Sequence, residues 1–187
     1  MEIRLSLVLL ALLGGVAWSL AATEPRAQLN QDDDSVRALS ALEDAFATAH
    51  DDLGVARKLS AEYLRLGQPA LAIGVARTAS PGLIADPLLT HRLAQAYEAV
   101  GRLDDALATA SVAHARCLRA VGSADAVVSD GAPTFACTPA VLVAVEQHEQ
   151  SLALMLRWGV TDPRHDPRAR MARGLSERRA RIASLSE

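Results

Sequence analysis

The chain has 187 residues, 50% of them apolar, 3% aromatic and 22% charged, with a formal charge of −3. That length and apolar share suffice for one domain with a core, built mostly from Ala, Leu and Val because rings are scarce. So mild a charge excludes a nucleic-acid partner held by bulk electrostatics.

Residues 1–21 read as a signal peptide. A short n-region ends at Arg4, an apolar stretch runs from Leu5 to Ala17, and Ser19-Leu20-Ala21 is a small-x-small cleavage signal. The alternative is an uncleaved anchor, since Leu5 to Ala22 is 18 residues without a charge. Either way the bulk of the chain is expected outside the cytoplasmic membrane, periplasmic or extracellular, or anchored and facing outside. Contact with the membrane is expected only if the segment is retained.

The next stretch is acidic: Ala22 to Leu53 carries eight acids against two arginines. Val36, Leu39, Leu42 and Phe46 recur at helical intervals within it, which predicts a capping helix over 32–50 that covers the apolar end of the adjoining helices.

Residues 53–120 contain a repeat. Shifted by 34 residues, Leu59, Tyr63, Gly67, Ala72, Ala76 and Ala79 fall on Leu93, Tyr97, Gly101, Ala106, Ala110 and Ala113. Leu and Tyr at i,i+4 share one face of a helix. The glycine can take the positive φ that ends a helix and reverses the chain. Alanine lets a second helix cross closely. Asp86-Pro87 reads as N-cap and first helical residue. The pattern resembles the tetratricopeptide repeat family, in units 53–86 and 87–120, although Ala76 and Ala110 stand where that family often has a large aromatic.

After the repeats the period breaks. Residues 121–137 are rich in Gly, Ser, Asp and Pro and read as an insertion loop. Cys117 and Cys137 are 20 residues apart in a chain sent to an oxidising space, so a disulfide is expected. It would stabilise by roughly 3 kcal/mol. The rival is a metal site using His114, Cys117 and His148, but the second close ligand pair is missing. Residues 138–187 predict a diverged helical hairpin: Thr138-Pro139 opens a helix to about Arg157, and a second runs from Pro167 toward Leu185. Met171, Leu175, Ile182 and Leu185 mark the expected buried stripe of the last helix. The end is basic, with seven arginines against three acids from Pro163 onward.

The expected fold is therefore all-α: a short superhelix of antiparallel hairpins with an N-terminal capping helix and a diverged C-terminal hairpin. No phosphate loop, H-E-x-x-H or nucleophile elbow occurs, so no catalytic residue, metal or cofactor is predicted. His148 sits between Glu146 and Glu149, which point in different directions on a helix. The family resemblance implies a groove lined by the first helix of each repeat and holding a peptide. By register it offers Arg57, Lys58, Ala61 and Arg65, then His91, Arg92, Gln95 and Glu98. This basic set suggests a protein or peptide partner with an acidic segment. The expected function is a non-enzymatic interaction module or scaffold of the cell envelope. The alternatives are a membrane-anchored assembly factor or an accessory subunit of a cell-wall enzyme, whose carboxylates would have to be Asp125 and Asp130.

Overall fold

Every local signal in the repeat region is a helix signal, and the structure follows it. A computed structural model describes residues 33–122 and 137–184. Among these the fold is all-α, with eight helices and no strand. They are α1 (Asp33–Thr48), α2 (Leu53–Arg65), α3 (Pro69–Thr78), α4 (Pro81–Ile84), α5 (Pro87–Ala99), α6 (Leu103–Gly122), α7 (Pro139–Arg157) and α8 (Pro167–Ser184). The described residues from Ala38 onward group as one compact unit, so α1 is described from Ala38 onward. Residues 1–21, expected to be a signal peptide, and Asp125 and Asp130 lie outside the described residues.

Sequence chemistry sets the helix ends. Asp52 caps α2 by accepting from the Val55 amide at 3.0 Å, and Asp86 caps α5 by accepting from Leu89 at 2.8 Å. Thr138 caps α7 in the same way through Val141. Pro occupies the first position of α3, α4, α5 and α7, where its missing N–H costs no hydrogen bond. Asp104 and Asp105 sit in the first turn of α6, complementing its dipole.

Three helices end in the same way. Gly67, Gly101 and Gly159 have φ of 68°, 78° and 65°. At each, the glycine amide bonds back to one carbonyl and the next amide to another. Gly67 donates to Leu64 and Gln68 to Tyr63; Gly101 donates to Glu98 and Arg102 to Tyr97; Gly159 donates to Leu156 and Val160 to Met155. This paired closure satisfies carbonyls that a helix end would otherwise leave bare. The left-handed conformation it needs is cheap only without a Cβ. The turn after α7 therefore matches those after α2 and α5, although its sequence has drifted out of the 34-residue period.

Packing runs from neighbour to neighbour. α2 lies on α3, α5 on α6 and α7 on α8, giving three helical hairpins; α3 and α2 also pack on α5, and α6 on α7. One core joins Phe46 of α1 to Leu59, Tyr63, Ala72, Val75, Leu89 and Ala96. A second joins Ala94, Leu103, Ala106, Ala110, Leu152, Met155, Ala169 and Ala172. α5 supplies both and is the central helix of the stack. The recurring alanines are buried: Ala72, Ala76, Ala79, Ala106, Ala110 and Ala113 all lie inside. Of the large recurring residues, Leu59 and Tyr63 are buried while Leu93 and Tyr97 are half-buried. Full burial of a leucine such as Leu59 is worth roughly 1.5–3 kcal/mol.

Cys117 and Cys137 form a disulfide with Cα atoms 5.4 Å apart, tying the entry of α7 to the end of α6. The last helix departs from expectation. α8 buries Ala169, Ala172 and Ser176, and leaves Met171 61% and Leu175 39% exposed. The small residues at i, i+3 and i+7 allow a close approach that the bulkier stripe would block. Among the described residues no helix is long and apolar enough to cross a membrane.

Candidate functional site

The repeat register places Arg57 and Lys58 on α2, and His91, Arg92, Gln95 and Glu98 on α5. The structure separates these residues into two groups with different fates. The basic group is largely engaged within the chain. Arg57 Nε donates to Asp86 Oδ1 at 2.9 Å, and the Asp86 carboxyl is fully buried. Arg92 donates to the Arg57 carbonyl, and Arg65 is paired with Glu62 one turn back. Lys58 stands exposed. Asp86 therefore does two jobs, capping α5 and neutralising Arg57 of α2, which locks the first hairpin to the second.

The second group forms a polar cluster with no counterpart in the local sequence pattern. His91 on α5 lies with Nε2 3.1 Å from Nδ1 of His148 on α7. His148 Nε2 is in turn 2.9 Å from Glu98 Oε2, back on α5. Arg173 of α8 donates to the other Glu98 oxygen at 2.6 Å. One carboxylate thus holds three helices together. Neighbouring Glu149 points elsewhere, as expected, and pairs with His114 at 2.6 Å and with Ser111 of α6. Glu146 accepts from Gln150 along its own helix.

The electrostatics follow from burial. His91 is 7% exposed, and its pKa is lowered to about 4. Desolvation is the main cause, with the neighbouring His148 and Arg92 charges adding to it against Glu98. His91 is therefore neutral at physiological pH. Burial alone would raise the pKa of Glu98, but hydrogen bonds from His148 and Arg173 carry it below the usual carboxylate value. An ionised Glu98 accepts from His148 Nε2–H, and a single proton is shared between Nδ1 of His148 and Nε2 of the neutral His91. The chain of donors is then satisfied from Arg173 through to His91.

Beside this cluster a cavity of about 290 Å³ opens to solvent. α5 lines it with His91, Gln95 and Glu98; α7 adds Gln147 and His148; α8 adds Arg173. Gln95 is exposed and Gln147 half-buried, and neither side chain makes a hydrogen bond among the described residues. Their amides can each donate and accept, the combination that a peptide backbone offers in return. The two nearby serines are engaged locally: Ser151 donates to the His148 carbonyl and Ser176 to that of Arg173. Among the described residues no group of three His, Cys, Asp or Glu is arranged to hold a metal ion.

Repeat register singles out His91, Gln95 and Glu98, and the cavity brings them together. It does not join them to His148 or Arg173, which lie 50 and 75 residues beyond Glu98. No family model, curated protein or solved structure matches this chain.

Proposed function

We propose that the chain is a non-enzymatic interaction module, exported to the cell envelope, which holds a segment of a partner protein across α5 and α7. In this reading the three hairpins form a short superhelix of the tetratricopeptide type. The three matching glycine turns and the neighbour-to-neighbour packing support that reading. The observation that carries the function is the cavity between the first helices of the second and third hairpins, with the unpartnered Gln95 and Gln147 amides on its walls. Its volume suits one or two side chains of an extended segment rather than a whole metabolite. The Glu98 network fixes the walls in advance, which lowers the ordering cost of binding. The disulfide supports an oxidising compartment. An acidic partner segment would meet Lys58 as its first unpaired charge, because Arg57, Arg65 and Arg92 already have partners in the chain.

The test is affinity capture from envelope extract with the parent and with a Gln95→Ala, Gln147→Ala variant. Both residues are polar and partly or wholly exposed, so stability should change by no more than about 0.5 kcal/mol. The parent should retain a discrete protein that the variant loses. Capture of the same proteins by both removes the cavity from consideration.

A further inference from the structure

We infer that the outer face of α8 is a docking surface for an anionic phospholipid membrane. The helix carries six arginines and one acid, Glu177. Three of the arginines face carboxylates: Arg168 on Asp166, Arg173 on Glu98 and Arg181 on Glu177. Arg170, Arg178 and Arg179 are exposed and have no ion pair among the described residues. The apolar side chains that the core does not use lie among them. Met171 and Leu175 are 61% and 39% exposed, one turn apart. Arg178 follows Met171 by seven residues and Leu175 by three, and Arg179 follows Leu175 by four. By helical register Arg178 therefore lies beside Met171 on the face away from Ala169, Ala172 and Ser176. Arg179 borders Leu175 on the other side, toward α7, where it lines a pocket with Glu146 and Gln150. Arg170, eight residues before Arg178, shares the outer face with it.

A bare apolar pair between unpaired guanidinium groups matches one surface in particular. Arginine stems lie along apolar material while their heads stay at the phosphates, and the apolar tips enter the acyl boundary. An acidic protein segment would neutralise the arginines but leave Met171 and Leu175 in water.

The experiment places an environment-sensitive nitrobenzoxadiazole label at Met171→Cys in the full chain, where Cys117 and Cys137 are already joined. Vesicles of phosphatidylglycerol with phosphatidylcholine at about 0.1 M salt should raise the emission several-fold and shift it to the blue. Pure phosphatidylcholine vesicles should not. The rise should at least halve at about 0.5 M salt, and it should vanish in the Arg170→Glu, Arg178→Glu background. The same label at Ala153, an exposed position of α7, should stay unchanged. No rise on anionic vesicles overturns the proposal, as does an equal rise on neutral ones. An equal rise at Ala153 assigns the contact to another part of the chain. A rise with polyglutamate in place of vesicles assigns this face to an acidic protein.

Discussion

Lowering the pH from 7.5 to 5 should destabilise this protein through one residue above all. His91 is buried and neutral in the fold, with a pKa of about 4, whereas in the unfolded chain it titrates near its ordinary value of 6.5. The unfolded state therefore takes up the proton first. The stabilising contribution is complete above about pH 6.5 and falls as the pH drops toward 4. Between those two values it amounts at most to about 3 kcal/mol, at 1.36 kcal/mol per pH unit. At pH 5 the loss works out at about 2 kcal/mol. The Glu98 pKa is lowered from 4.5, so its contribution is lost mainly below that value and leaves this interval to the imidazole. The assay is urea denaturation of the parent and of His91→Gln at pH 7.5 and 5. Glutamine keeps an amide N–H near the position of Nε2 but does not titrate. The parent should lose about 2 kcal/mol more than the variant over the interval. Equal losses would show that His91 is not held neutral by burial against His148.

Gly101→Val should cost on the order of 1–3 kcal/mol, because a β-branched residue is forced into the left-handed region. The backbone alone is responsible, since an added Cβ would lie at an ordinary 3.7 Å from the nearest atom, the Thr161 carbonyl oxygen. Gly67→Val should behave alike, while Gly122→Val, with open space and no positive φ, should shift the melting temperature far less. Non-reducing mass spectrometry should find two hydrogens missing at Cys117 and Cys137, and reduction should lower stability by roughly 3 kcal/mol for a closed loop of this length. Asp86→Ala should be among the most damaging single changes, at roughly 3–5 kcal/mol, because it strips a buried carboxylate from Arg57 and removes the α5 cap. Asp86→Asn keeps a capping oxygen and should lose measurably less in the same denaturation assay.

Residues that act locally can be read from the chain alone. The Leu-Tyr-Gly spacing, twice repeated, marks the helix ends at Gly67 and Gly101, and Asp86-Pro87 and Thr138-Pro139 mark two helix starts. Gly159 is legible as a turn but not as the same turn. Met155 stands four residues before it, where the repeats have Tyr63 and Tyr97, and the 34-residue spacing is broken by the insertion. Long-range pairings leave no local sign. Nothing near Asp86 announces that it faces Arg57 as well as capping its own helix, so by sequence the basic residues look freer than they are. His148 can be judged there only against Glu146 and Glu149, its neighbours in sequence, whereas its partners come from α5. In α8 the larger apolar residues suggest the wrong face, because close helix contact there favours alanine and serine.

The most direct test of the binding role is site-specific photocrosslinking in intact cells. A photoreactive residue replaces Gln95, on the wall of the cavity, and in a second strain Leu118, which is 50% exposed on α6 and lines none of the cavity. A discrete protein adduct should form from position 95 and not from position 118. No adduct at 95, or the same adducts at both positions, would contradict the assignment of the α5–α7 cavity as the partner site.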